Sequence, residues 1–153
     1  MTNQLEALEY WAAGLLKQLE PESRNRLAQN LGRALRKSQQ HRIIAQRSPG
    51  GCKYAPRKQR ILRGKQGRVK QKRKMFQKLR TATFLRVQGD GNVISVGFIG
   101  RIALIAKVHQ FGLKDRAERG AISVDYAQRE MLGFTEIDVD LIRNGLLFQY
   151  RLY

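Results

Sequence analysis

Few residues in this chain have side chains that could carry out catalysis or bind a metal. Among its 153 residues there are two histidines, His41 and His109, and one cysteine, Cys52. Zinc sites need three or four His, Cys or carboxylate ligands at suitable spacing, and these three residues do not provide one. A cysteine nucleophile needs a base and an electropositive pocket, whereas Cys52 follows a Pro-Gly-Gly turn typical of a solvated loop. We expect no catalytic residue, no metal and no cofactor, so the chain is not expected to be an enzyme.

The two histidines have a simpler interpretation than catalysis. His109 shares an apolar helical face with Ile102 and Ala106 and comes just before Gly112. A packed histidine that bonds a nearby carbonyl group fits this position better than a general base.

Positive charge is the strongest chemical signal in the sequence. There are 30 Lys and Arg against 12 Asp and Glu, which gives a formal net charge of +18. No carboxylate occurs between Glu22 and Asp90. Such a charge balance is typical of proteins that contact a polyanion.

The charge is densest in residues 53–80, which we call the basic segment. Repulsion among its cations predicts an extended, mobile loop from Arg57 to about Gln71. Tyr54 and Phe76 flank the cations but do not alternate with them, which favours contact with a nucleic-acid backbone over base stacking. Docking on an acidic protein surface is the alternative. The candidate contact residues are Arg57, Lys58, Arg60, Arg63, Lys65, Arg68, Lys70, Lys72, Arg73 and Lys74.

One short motif lies inside the basic segment. Residues 64–67, Gly-Lys-Gln-Gly, resemble the Gly-x-x-Gly loop of KH modules, which clamps nucleotides between two helices. Both flanks of this motif are charge runs rather than helices, so it is weak evidence for a KH fold.

Two helices are predicted before the basic segment. Leucines at three- and four-residue spacing predict a first helix from Gln4 to Glu20, ended by Pro21. A second helix is predicted from Glu22 to Gln46, before a Ser-Pro-Gly-Gly terminator. The short link lets these helices pack antiparallel or diverge as arms. A further short helix is predicted around residues 75–79.

The remaining chain predicts a small sheet with two helices. Strands are expected at 83–88 and 92–99, joined by a Gly-Asp-Gly turn. A helix at 101–110 should stop at Gly112, and a last helix should begin at Thr135 with Asp138 completing a capping box. Core positions are predicted at Phe98, Ile105 and Leu132.

These elements predict an α+β fold, with a small antiparallel hairpin packed against several helices. We expect one domain over residues 1–153, divided into a helical region at 1–47, the basic segment at 53–80 and a sheet-helix core at 83–153. The most apolar window, residues 93–108, is interrupted by Arg101 and two glycines, so no membrane span is expected. The acidic N-terminal stretch lacks the features of a secretory signal, and the single cysteine fits a reducing compartment.

Eight short segments, spread over most of the chain, have a recognisable order. They are Leu31–Arg33, Leu35–Gln39, Arg42–Ile43, Tyr54–Arg57, Met75–Arg80, Val96–Phe98, Ile105–Gly112 and Arg129–Thr135. Taken together, these segments resemble the virion morphogenesis (tail completion) family of contractile-tailed bacteriophages. The resemblance assigns a structural role to His109, Gln110, Phe111, Gly112, Arg129, Leu132 and Gly133.

The resemblance implies a non-enzymatic virion protein that is assembled in the host cytoplasm and acts at the neck between head and tail. It implies a homo-oligomeric ring, a hexamer or dodecamer similar to tail-terminator rings, which completes the tail and permits head-tail joining. Its partners would be connector or portal-side proteins, tail-tube or terminator proteins, and duplex DNA in the lumen. The alternative is a monomeric RNA- or DNA-binding module without sequence preference, and an enzyme is a distant third.

Overall fold

The computed structural model describes residues 2–17, 19–57, 74–116 and 122–150 and has an α+β fold, as predicted. The described elements are four helices and four strands that form two separate two-stranded antiparallel sheets. In chain order they are α1 (Thr2–Leu16), α2 (Pro21–Ala45), β1 (Leu85–Gly89), β2 (Ile94–Phe98), α3 (Arg101–Phe111), β3 (Lys114–Arg116), β4 (Ser123–Asp125) and α4 (Glu136–Tyr150).

Helix α2 is the longest element and packs against α4, β1 and β2. Its bounds agree with the prediction to within one residue at each end. Pro21 occupies its first turn, where a missing amide hydrogen costs no helical bond. Gln46, in a left-handed conformation with φ of 58°, ends it. A helix of 25 residues is about 38 Å long, so α2 serves as the spine to which the other elements attach.

Helix α1 ends at Leu16, four residues before the predicted end. The amide of Leu19 donates to the Leu16 carbonyl at 3.3 Å, in a tight turn that buries the Leu19 side chain. Helix α4 packs against both α1 and α2. The apolar faces of the two N-terminal helices therefore meet through α4. The buried residues here form the helical cluster, which consists of Ala12, Leu19, Leu27, Leu31 and Leu146.

The β1–β2 hairpin lies across α2. The hairpin is the predicted one, but its turn consists of residues 90–93, because Gly89 belongs to β1 and pairs with Ile94. The Asp90 side chain accepts hydrogen bonds from the backbone amides of Asn92 and Val93 at 2.8 and 3.1 Å. These bonds lower the pKa of Asp90. The hairpin approaches α2 at Gly32, where an added Cβ would lie 2.3 Å from the Val87 side chain. Glycine at this position therefore permits the helix-sheet contact.

A second cluster forms between the C-terminal half of α2, β1 and α3. Phe98 and Leu132 are half-buried and pack against it, in agreement with the prediction. Ile105 does not, because its side chain is 46% exposed on the outer side of α3, so its assignment to the core was wrong. The periodic pattern was misleading because α3 carries apolar residues on both faces. The buried members of this cluster are Ile43, Tyr54, Leu79, Leu85, Ala106 and Met131.

Two local predictions fail. Residues 75–80 form consecutive turns instead of a short helix, because Phe76 has a left-handed φ of 62° that no right-handed helix can include. The β3–β4 pair was not predicted, since each strand has three residues, all of them exposed. A strand exposed on both sides shows no alternation of apolar and polar residues.

The ends of α3 and α4 follow the predicted signals. Gly112 ends α3 in a left-handed conformation with φ of 63°. At α4, the Asp138 amide donates to Thr135 Oγ1 at 3.2 Å and the Thr135 amide donates to Asp138 Oδ2 at 2.9 Å, which completes the capping box. Within the described ranges, no helix has the length and hydropathy needed to span a bilayer.

Candidate functional site at the base of the basic segment

The two described ends of the basic segment lie side by side. Arg57 Nη2 donates to the Lys74 carbonyl at 3.4 Å, and Lys74 Nζ donates to the Ile44 carbonyl at 3.1 Å. Both side chains are exposed. The structure therefore fixes the base of the basic segment at the C-terminal end of α2. The other candidate contact residues lie outside the described residues: Lys58, Arg60, Arg63, Lys65, Arg68, Lys70, Lys72 and Arg73. The predicted mobile loop and the Gly-x-x-Gly motif lie there too, and both stay predictions.

Gln46 holds the C-terminal end of this base. Its side-chain amide donates to the Met75 carbonyl at 3.0 Å, and its side-chain oxygen accepts from the Met75 amide at 2.7 Å. The same amide nitrogen also donates to the Ile43 carbonyl at 2.6 Å. The left-handed conformation of Gln46 thus ends α2 and places its side chain where it binds residue 75.

Arg129 holds the N-terminal end. Its guanidinium donates to the carbonyls of Ala55 and Pro56, at 2.8 and 2.9 Å. It also contacts His109 Nδ1 at 3.2 Å. Arg129 is only 5% exposed, and burial, with a smaller contribution from Arg57, lowers its pKa. A buried guanidinium that donates to main-chain carbonyls fixes the path of the backbone at residues 55–56.

His109 is packed, as predicted, but the contact differs from the predicted one. A guanidinium can only donate, so His109 Nδ1 accepts from Arg129 and carries no proton. Burial lowers the pKa of His109, and the charge of Arg129 lowers it further, which keeps the ring neutral at pH 7. The partner of this nitrogen is a side chain and not a carbonyl group.

Four rings link both ends of the base to α3. Tyr54 packs edge-on against Phe76 at a centroid distance of 5.8 Å, Phe76 against His109 at 4.9 Å, and His109 against Tyr126 at 5.1 Å. Burial raises the pKa of Tyr54 to about 12, against the opposing effect of Arg42. Edge-to-face pairs each contribute about 0.5–1.5 kcal/mol beyond their buried area, so the row reinforces the hydrogen bonds.

Gln110 and Gln39 hold residues 131–133 in the same way. Gln110 accepts from the amides of Met131 and Leu132, at 2.8 and 3.0 Å, and donates to the Leu132 carbonyl at 2.8 Å. Gln39, from α2, donates to the Gly133 carbonyl at 3.0 Å and accepts from its amide at 3.2 Å. The segment before α4 is therefore attached to two helices through its backbone.

Arg42 completes the arrangement. Its Nη1 donates to Asp138 Oδ2 at 2.7 Å, and its Nη2 donates to the Gly133 carbonyl and to Gln39. Asp138 is fully buried. Burial alone would raise the pKa of Asp138, yet hydrogen bonds from Ser38 and Thr135, with the Arg42 charge, hold it below its usual value.

These side chains form one structural unit, which we call the anchor framework: Gln39, Arg42, Gln46, Gln110 and Arg129. The resemblance to the phage family singled out Gln110 and Arg129; Arg129 contacts the base directly, whereas Gln110 holds residues 131 and 132. Gln39, Arg42 and Gln46 were not assigned a role. The signal for Gln39 was available, because it lies between Leu35 and Ile43 at four-residue spacing on the buried stripe of α2.

The remaining family-motif residues have different positions. Gly112 caps α3, and an added Cβ there would lie 3.1 Å from Gln128. Gly133 faces Pro49, which an added Cβ would approach to 2.5 Å. Leu132 packs against the second cluster, whereas Phe111 is 61% exposed on α3 and takes no part in the framework.

The side chains of this site hold distant backbone segments together by hydrogen bonds. Among the described residues, no group of three or more His, Cys, Asp or Glu could hold a metal ion. Cys52 is exposed in the turn where the Ser48 amide donates to its carbonyl at 2.8 Å. The framework holds the two described ends of a strongly cationic segment at one place on the fold.

Comparison with known proteins gives one family. The profile of the phage virion morphogenesis family matches residues 3–149. Tail completion protein S of Escherichia phage P2 is 42% identical over 146 residues, which cover 95% of this chain and 96% of that protein. No solved structure gives a significant match. The matched range contains both ends of the basic segment and the whole anchor framework.

Proposed function

The chain belongs to the phage virion morphogenesis family, and we propose that it completes the phage tail and joins it to the head as a ring-forming neck component. Its role in the phage tail is structural. The observation that carries the proposal is the 42% identity to a tail completion protein over almost the full length of both chains. We infer from it a virion component that is not an enzyme.

The ring is supported by the amount of apolar side chain exposed on a single copy. Leu104, Ile137 and Phe148 are 69%, 77% and 67% exposed, and they lie on two different helices. Large apolar side chains exposed on a helix surface mark interaction sites, and here they occur on two separate surfaces. Self-association of this chain would cover them.

The basic segment is the proposed contact to a partner. In a neck ring it would meet either the acidic surface of a connector or tail-tube ring, or the duplex DNA in the lumen. We favour DNA, because a wall of cations without interleaved aromatic residues binds phosphates without reading sequence. The anchor framework supports this role, since both ends of the segment are fixed to the fold.

The test is complementation of a phage in which this gene carries a stop codon. We expect filled heads and separate tails by electron microscopy, and joined virions after the wild-type protein is supplied. Joined virions at normal yield without the protein would refute the proposed function. A purified protein that binds nucleic acid as a monomer and never associates with heads or tails would favour the nucleic-acid-binding module.

The DNA contact has its own test. In one variant, glutamine replaces the cations at positions 63, 65, 68, 70, 72 and 73, while Lys74 is kept because it holds the base. Each phosphate contact removed should reduce the slope of log affinity against log salt by about 0.9. The matched control places glutamine at Arg26, Arg33 and Lys37 on the exposed face of α2. Failure of the variant to dock DNA-free heads would instead assign the segment to a protein partner.

A further inference from the structure

We propose that copies of this chain associate head to tail, with the outer face of α3 on one copy packed against the outer face of α4 on the next. This inference rests on the self-association in the proposed function and specifies its surfaces. It starts from α3, whose inner face is buried through Ala106, 3% exposed. On the opposite side, Leu104, Ile105 and Phe111 are 69%, 46% and 61% exposed. Helix α3 thus carries large apolar side chains on its outer side as well as on its buried side, and exposed apolar side chains of this kind mark an interaction surface.

The charged residues of α3 itself are all positive. Arg101 and Lys107 are exposed beside the apolar side chains, and the helix contains no carboxylate. Two copies of this face placed against each other would bring like charges together. The face therefore fits a partner that is apolar at its centre and acidic around it.

The outer face of α4 has that composition. Ile137, Leu147 and Phe148 are 77%, 42% and 67% exposed. Glu136 and Asp140 are exposed on the same side of the helix, where Asp140 pairs with the exposed Arg143 at 2.8 Å. This face is therefore apolar with two carboxylates and one cation beside it. Only 12 of the 153 residues are acidic, which makes such a surface uncommon on this chain.

Helix α1 is the competing partner within the chain. Its exposed face carries Tyr10 and Trp11, 89% and 40% exposed, near Glu6 and Glu9. Tyr and Trp each carry a polar atom that water can bind, which makes their exposure less costly. Exposed isoleucine and phenylalanine have no such atom, so α4 needs a covering surface more than α1 does.

The two faces lie in different parts of the fold. Helix α3 packs on β2 and contributes to the second cluster, whereas α4 packs on α1 and α2 in the helical cluster. A contact between two different faces is heterologous, and its repetition closes a ring when the rotation between copies allows. This pairing would therefore bury the exposed apolar residues and allow the copies to form a closed ring.

Two double variants of the full chain test the pairing. The α3-face variant combines Leu104→Asp with Phe111→Asp, and the α4-face variant combines Ile137→Asp with Phe148→Asp. Each should weaken self-association by at least about tenfold in sedimentation equilibrium, because apolar residues at an interface centre dominate affinity. Val93→Asp is the matched control, since Val93 is 64% exposed in the β1–β2 turn and lies on neither face. It should assemble as wild type.

Mixing the two variants gives the decisive result. The first keeps an intact α4 face and the second an intact α3 face, so together they should form a one-to-one dimer and nothing larger. Such a dimer also shows that both variants are folded. No association in the mixture, or dimers of either variant alone, would overturn the head-to-tail pairing.

A cross-link provides a second measurement that does not depend on loss of binding. In a Cys52→Ser background, Leu104→Cys and Ile137→Cys in one chain should form disulfides between copies on mild oxidation. A cross-link from residue 104 to α1 instead, through Tyr10→Cys, would overturn the choice of α4. Wild-type protein that stays monomeric would overturn the inference altogether. Loss of head-tail joining is measured separately by complementation, so assembly without joining would refute only the proposed function.

Discussion

The anchor framework and the helical cluster are both built on α2 but are held together by different forces. At its N-terminal half, α2 packs through Leu27 and Leu31 in the apolar helical cluster with α1 and α4. At its C-terminal half, Gln39 and Arg42 hold distant backbone groups by hydrogen bonds of 2.7 to 3.2 Å. Apolar packing tolerates changes of shape when volume is kept, whereas directional bonds fix atoms relative to one another.

This difference indicates where the fold requires geometrical accuracy. The helical cluster needs only to hold three helices together, so leucines suffice. Within the framework, Arg129 and Gln46 set the positions of residues 55–56 and 75, at the base of the basic segment. Polar side chains set these positions through directional hydrogen bonds. Burying a polar side chain costs free energy unless its hydrogen bonds are satisfied.

The largest expected effect comes from breaking the framework at Arg42. The change Arg42→Met leaves Asp138, which is fully buried, without its cation. Removing one partner of a buried pair costs about 3–5 kcal/mol, and we expect this loss in the free energy of unfolding from denaturant titration. Arg143→Met is the control, because its pair with Asp140 is exposed, and it should cost under about 0.5 kcal/mol. Equal effects of the two changes would contradict the comparison.

A change in the helical cluster should lower the free energy of unfolding slightly less. A substitution there that keeps the side-chain volume should lower it less still. Leu31, 6% exposed, contacts the helix surface at Gly145, and Leu31→Ala should cost about 3 kcal/mol. Leu31→Met, which keeps the volume, should cost under about 1.5 kcal/mol. If Leu31→Met is as damaging as Leu31→Ala, the helical cluster is as demanding in shape as the framework.

A smaller effect is expected at Gln39. The change Gln39→Leu leaves the amide and carbonyl of Gly133 without this partner, which should cost about 1–3 kcal/mol. Hydrogen exchange should identify the cause, with faster exchange at the Gly133 amide and unchanged exchange in α1. Protection of Gly133 at the wild-type level would mean that Gln39 does not hold this segment.

The smallest effect concerns pH. The pKa of Asp138 is lower in the folded protein than its ordinary value, so its contribution is present above about pH 4 and disappears as pH falls through the folded pKa. Denaturant titrations at successively lower pH should show this loss in the wild type. Asp138→Asn should remove that part of the pH dependence, while the contribution of Asp90, whose pKa is also lowered, remains in both proteins. Identical slopes for the two proteins would refute the assignment.

Much of the fold could be predicted because its signals are local. Pro21 begins α2, Thr135 caps α4, and the Gly-Asp-Gly turn joins the strands of the first hairpin, each within a few residues of the signal. The apolar spacing on α1 and α2 identified their buried faces for the same reason. Ile105 was misassigned because α3 has two apolar faces, and periodicity does not tell which one the chain itself covers.

The anchor framework was harder to predict from the sequence, because its hydrogen bonds join residues far apart in the chain. Gln39 and Gly133 are separated by 94 residues, and Arg129 and Ala55 by 74. A glutamine on an apolar stripe indicates a buried polar group but not its partner. The resemblance to the phage family directed attention to Arg129 and Gln110, and only the structure gave the atoms that they bind.

The long separation between framework partners also sets an order of events during synthesis. Arg42 is made 96 residues before Asp138, which at about 5–20 residues per second is an interval of roughly 5–20 seconds. Once Arg80 has been made, the nascent chain contains all of the basic segment, but its base lacks Arg129, which donates to the carbonyls of Ala55 and Pro56. A copy released before residue 129 would therefore carry the charge of the basic segment without the bonds that hold residues 55–56.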